Sequence, residues 1–137
     1  MTVRSFLDSN VLVYTDDADS PIKKEAALDL VESARVGRWG VVSTQVLQEY
    51  FYVATGKLGL STDVARAKTE IFGRLDVATI DMMTILGAID IHRLHDVNFW
   101  DGLIVYTARA AGCRILYTED LQHGRLFDGL EVVNPFV

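Results

Sequence analysis

Four acidic residues stand where they could do chemistry: Asp8 in "SFLDSNVLVY", Glu49 in "TQVLQEYFYV", Asp101 in "NFWDGLIVY" and Asp120 in "RILYTEDLQ". Each lies in or beside an apolar run. Ser9 and Asn10 follow Asp8, and all three residue types favour turns by bonding their own backbone, so a turn alone could account for that position. If the four acids met, the reading would change. An oxygen-only cluster without His or Cys suits Mg²⁺ or Mn²⁺, which keep waters in their remaining positions. The reaction natural to such ions is in-line attack of an activated water on a phosphodiester.

Whether the acids meet depends on the elements that carry them. "VRSFL" at 3–7 is a compact apolar strand, "GVVS" at 40–43 a second, "DVATI" a third, "RILYT" a fourth, and "GLEVVNPF" supplies a fifth. Between them run helical patterns. One opens with Ser20 as N-cap and Pro21 at the first helical position and closes at Gly37. Another is capped by Ser43 or Thr44 and runs through "QVLQEYFYVATG"; three more follow in "STDVARAKTEIFGRL", "MMTILGAIDIHRL" and "FWDGLIVYTARAAG". Short apolar strands alternating with such helices predict an α/β fold, a mainly parallel five-stranded sheet with helices on both faces. One domain over 1–137 is expected.

In such sheets ligands bind beyond the carboxyl ends of the strands. Asp8 ends the first strand and Asp120 follows the fourth, so both reach that edge. Helices linking parallel strands run antiparallel to them. Glu49, in the first two turns of its helix, therefore lies about 8 Å below the rim, and Asp101 sits in the first turn of the helix that leads to "RILYT". If the first and fourth strands are neighbours, about 4.8 Å apart, Asp8 and Asp120 can share one ion. Like charges that close destabilise the fold unless a cation sits between them.

"FLDSNVLVY", "STQVLQEYFYVAT", "FWDGLIVYTARAAGCRILYTEDLQHG" and "LEVVNPF" together resemble the PIN-domain ribonucleases, most closely the VapC-type toxins of bacterial toxin–antitoxin pairs. The likeness covers nearly the whole chain in the family's order. It implies a three-layer PIN-like fold with the first strand near the centre of the sheet. It also implies that Asp8, Glu49, Asp101 and Asp120 form the metal-binding catalytic quartet, with Ser9 and Asn10 orienting Asp8 and the Thr118 hydroxyl supporting Asp120. An RNA substrate and a cognate antitoxin follow from the same resemblance. Two other functions compete: a PIN-like interaction module without catalysis, and a phosphoryl-receiver domain using Asp16 and Asp17. No lysine follows a strand as a receiver requires, and a dead site has no physical reason to keep four repelling carboxylates.

The remaining candidates have plainer readings. Asp16, Asp17 and Asp19 read as a solvated loop, and Lys23/Lys24 and Arg66/Lys68 as solvated helix faces. Glu119 should point away from Asp120, as neighbours on an extended strand do. Asp96 could reach the site only through water. His92 and His95 read as cations at a helix C-terminus, His123 as a surface loop histidine, and Phe99 and Trp100 as packing or stacking residues. The aromatic-rich "EYFYVATGKLGL" predicts a homodimer interface. Cys113 reads as a small buried hydrophobe.

The chain carries 13 Lys+Arg against 19 Asp+Glu, a net charge of −6, which argues against a protein that simply coats nucleic acid. A hydrolase holding phosphate through cations escapes that objection. No apolar run is long enough to span a membrane, and the N-terminus lacks the layout of a signal peptide. A reducing, cytoplasmic compartment is expected.

Overall fold

A computed structural model describes residues 3–137. The element order is β1 (Ser5–Leu7), α1 (Ser9–Tyr14), α2 (Pro21–Gly37), β2 (Gly40–Ser43), α3 (Thr44–Gly56), α4 (Thr62–Phe72), β3 (Asp76–Ala78), α5 (Met82–His95), α6 (Phe99–Ala110), β4 (Ile115–Tyr117), β5 (Leu126–Phe127) and β6 (Leu130–Val133). The sheet order is β3-β2-β1-β4-β6-β5, parallel except for β5 against β6. β1 is central and pairs with β4 from Ser5↔Ile115 to Leu7↔Tyr117. Every residue of β1 and β2 is buried, as strands covered on both faces must be.

Six strands form where five are predicted. The sixth, β5, is joined to β6 by Asp128 and Gly129, both at positive φ (46° and 91°). That is the two-residue turn that "DG" favours in a hairpin, a signal the strand count above passes over. Ser20 does precede α2, but its side chain makes no capping bond. Ser43, Ser61, Asp81 and Asn98 do cap, each accepting from a backbone N–H in the first turn of its helix.

Two glycines let α5 and α6 approach closely. A Cβ at Gly87 would lie 2.1 Å from the Tyr106 ring, and one at Gly102 would lie 2.9 Å from the Ala88 carbonyl. This packing holds the start of α6, and Asp101 with it, at the sheet's edge.

The stretch "EYFYVATGKLGL", where a homodimer interface is expected, divides between core and surface. Tyr50 and Ala54 are core residues, and Tyr50 packs edge-on against Phe72. Tyr52 projects fully, and Phe51, Val53, Leu58 and Leu60 are half-buried. The exposed apolar side chains gather on α5, at Met82, Met83 and Leu86. Two charged stretches are corrected. Asp16 is not solvated, since it accepts from Tyr50 Oη at 2.6 Å and pairs with Lys68. Lys23 pairs with Glu119 at 3.0 Å and lies over the Tyr14 ring. Among the described residues, no helix is long and apolar enough to cross a membrane.

Candidate active site

Asp8 leaves β1 and caps α1, its Oδ1 accepting from the Ser9 N–H at 2.7 Å. Its Oδ2 accepts from the Thr118 hydroxyl at 2.8 Å. Thr118 is fully buried just past β4, the strand beside β1. The same hydroxyl oxygen accepts from Asn10 Nδ2 and from the Asp120 N–H, each at 3.1 Å. One donor and two acceptor positions exhaust a hydroxyl, so Thr118 is fully used. Asn10 Nδ2 also reaches Asp120 Oδ2 at 3.2 Å. Asp8, Ser9, Asn10, Thr118 and Asp120 are thus one bonded unit across two strand ends. Thr118 ties to Asp8 directly, where the sequence pointed it only at Asp120.

Glu49 and Asp101 face that unit from α3 and α6. Asp101 lies in the first turn of α6, where it exchanges bonds with the cap. Its N–H donates to Asn98 Oδ1 and its Oδ2 accepts from Asn98 Nδ2, both at 2.8 Å. Glu49 is half-buried one helical turn beyond Gln45.

The electrostatics tie all four acids together. Burial pushes Asp8 up to about 7, against the Thr118 and Ser9 bonds and with help from the Asp120 and Glu49 charges. Burial likewise raises Glu49, opposed by Ser9 and Gln45 and reinforced by Asp120 and Asp101. Asp101 is raised first by burial and then by Asp120. Three carboxyls are therefore held above their ordinary range, with Asp120 repelling each of them. None of the four acids forms a salt bridge among the described residues.

The donor set is oxygen-only and fits a hard divalent cation. Among the described residues, no three carboxylate, imidazole or thiol groups are gathered tightly enough to ligate one ion. A second observation favours the fit. Gln45, in the first turn of α3, is buried beside Glu49, yet neither amide atom has a hydrogen-bond partner of ordinary geometry. Buried amides are rarely left unpartnered away from functional sites. The sequence analysis missed Gln45; its spacing of four before Glu49 was the available signal.

The neighbours of the quartet have other duties. Glu119 turns away to Tyr14 Oη at 2.6 Å and to Lys23. Asp96 is the left-handed C-cap of α5. His123 accepts the Asn134 N–H at 2.9 Å, and the His95 ring packs against Phe127. Phe99 and Trp100 stack edge to face. Cys113 is buried, and burial pushes its thiol up to about 11.

The PIN domain family model matches residues 5–126. The chain belongs to the PIN domain family. The match runs from β1 to the start of β5 and so contains all four acids. Among solved structures, this PIN domain is similar to Mycobacterium tuberculosis VapC20, a sarcin-ricin-loop-cleaving toxin. The TM-score is 0.63 at 17% identity, covering 85% of this chain and 89% of that one. At that identity the likeness concerns the fold. No curated protein matches the sequence.

Proposed function

We propose that this PIN domain is a divalent-cation-dependent endoribonuclease, the toxin of a VapBC-type pair restrained by an antitoxin protein. The observation that carries the reading is the set of mutually repelling, partly buried carboxylates at the carboxyl edge of the sheet, none of which forms a salt bridge among the described residues. VapC20, with which the fold is shared, is a toxin that cleaves the sarcin-ricin loop of RNA. The receiver alternative loses its basis, since the chain belongs to the PIN domain family over residues 5–126.

In this reading Asp8, Glu49, Asp101 and Asp120 hold Mg²⁺ or Mn²⁺. Bound there, the cation supplies Lewis-acid chemistry, acidifying a water and offsetting charge on the phosphate. Thr118 and Ser9 fix both oxygens of Asp8, so its rotamer is set before any ligand arrives. Asn10 bonds and steadies Asp120, and Asn98 does so for Asp101. Glu49 has only the neighbouring Ser9 and Gln45 side chains to steer it, which leaves it the freest of the four to adjust.

The experiment is RNA cleavage by the parent and by Asp101→Asn, in Mn²⁺ and in EDTA, with expression in bacterial cells beside it. The expected result is cleavage and growth arrest by the parent, leaving 5′-phosphate and 3′-hydroxyl ends. Asp101→Asn should be folded, at least a thousandfold slower, and harmless. Full activity in EDTA, or 2′,3′-cyclic phosphate ends, would overturn the mechanism.

A further inference from the structure

A groove leaves the acidic rim between α1 and α3, two helices that pack against each other. On α3, Glu49, Val53 and Lys57 follow at four-residue spacing and so form one row down the helix. The cavity between the helices holds about 160 Å³ and its lining includes Val13, Tyr14, Val53 and Lys57 together with two acids, Asp17 and Glu119, the latter paired with Lys23. Ser9 and Asn10, which also line it, are the residues that bond Asp8 and Asp120, so the cavity is continuous with the candidate site. A space of about 150 Å³ with apolar walls admits one benzene-sized ring. Val13, Val53 and the Tyr14 ring supply the apolar part of a lining that is otherwise polar. Tyr14 is held in place by Glu119 at 2.6 Å and by the Phe136 ring.

Lys57 stands at the far end, about 12 Å along the helix axis from Glu49. It is exposed and makes no ion pair among the described residues. A polyanion approaching a chain of net charge −6 needs a cation set back from the four acids. Arg35, Arg38 and Arg74 cannot serve, because they surround an opening at Gly40, where β2 begins, on the opposite edge of the sheet.

We propose that the α1–α3 groove seats the RNA strand on one side of the scissile phosphate. A single-ring base sits between Val13 and Val53, and Lys57 bonds a neighbouring phosphate. The assignment rests on the ribonuclease reading above and adds to it a preference for pyrimidines at one flanking position.

The test uses fluorescein-labelled twelve-nucleotide oligo(U), oligo(C) and oligo(A). Binding is followed by anisotropy in EDTA across a salt series, and cleavage is followed in Mn²⁺. The parent should favour oligo(U) and oligo(C) over oligo(A). Lys57→Gln should bind about fourfold more weakly at 0.15 M salt, with the slope of log K against log salt reduced by about 0.7, the loss of one single-strand phosphate contact. Its KM should rise while kcat holds, and Lys57→Arg should restore both slope and KM. Arg38→Gln, on the opposite edge, should change neither. Val53→Ala, which enlarges the ring space, should narrow the gap between oligo(U) and oligo(A). A parent that cleaves, together with a Lys57→Gln variant of parental slope and KM, overturns the groove. So does a variant pair that handles RNA normally but loses a neutralising protein partner, since the groove is then that partner's seat. A parent that binds with a Lys57-dependent slope but cleaves nothing overturns the nuclease reading and leaves the groove standing.

Discussion

Asp8 and Asp16 flank the same short helix and are about equally hidden, Asp8 being 5% exposed and the Asp16 side chain 6%. Their surroundings differ in kind. Asp16 has a lysine, Lys68, and the Tyr50 hydroxyl at 2.6 Å, so its charge is answered where it stands. Asp8 has a hydroxyl, a backbone N–H and two further acids, which leave its charge unanswered. Burial of a carboxylate is costly unless a partner offsets it. The compensated acid joins α1 to α3 and α4 and serves the fold. The uncompensated one costs the fold stability that protonation, or under the proposed function a bound cation, would return. Under the proposed function, the missing partner is what separates the acid of the site from the acid of the fold.

The largest test of that contrast is pH. A carboxyl held near 7 in the folded chain and near 4 in the unfolded one binds more protons when folded between those values. Its contribution is then fully present below about 4 and lost as pH climbs through about 7. Glu49 and Asp101, also raised, act in the same direction. Metal-free protein should therefore be less stable to urea at pH 8 than at pH 5, by about 3 kcal/mol as an upper bound from Asp8. Asp8→Asn should flatten that slope and be at least as stable as the parent at pH 8. A parent that gains stability over this range would place Asp8 in the compensated class.

A smaller effect, of opposite sign to that of Asp8→Asn, is expected at the compensated acid. Asp16→Ala leaves Lys68 half-exposed and the Tyr50 hydroxyl unpaired inside the core. A loss of about 2 kcal/mol in chemical denaturation should follow, the cost of stranding one buried polar group beside a partly solvated charge. Cleavage per folded molecule should be unchanged. Reduced cleavage at undiminished stability would make Asp16 part of the site and erase the distinction drawn here.

The smallest effect sharpens the contrast at a neutral residue. Gln45 is buried and unpartnered beside Glu49, so Gln45→Met, of similar shape, should stabilise the metal-free protein by about 1 kcal/mol. The same variant should show a smaller rise in melting temperature on adding Mn²⁺. A destabilised Gln45→Met protein with a parental Mn²⁺ response would return Gln45 to ordinary packing.

Much of this molecule was determined by its sequence alone. Apolar runs of strand length, caps such as Ser43, and the alternation of strand and helix depend on spacing within a few residues, so α2 and β2 begin and end where those signals put them. The alternation then dictates which ends share an edge, and that brings Asp8, Glu49, Asp101 and Asp120 to one rim. The Asp128–Gly129 turn was equally local and legible. What the sequence could not decide was which charges find partners. Lys68 and Asp16 are 52 positions apart, and Thr118 and Asp8 are 110 apart. Nothing in "TDDAD" distinguishes a buried, paired Asp16 from its solvated neighbours, and nothing in "STQVLQEYF" marks Gln45 as unpartnered or Tyr50 as core. Those outcomes depend on how α1, α3 and α4 pack, because a partner's approach and the exclusion of water are properties of the assembled interior rather than of any local stretch.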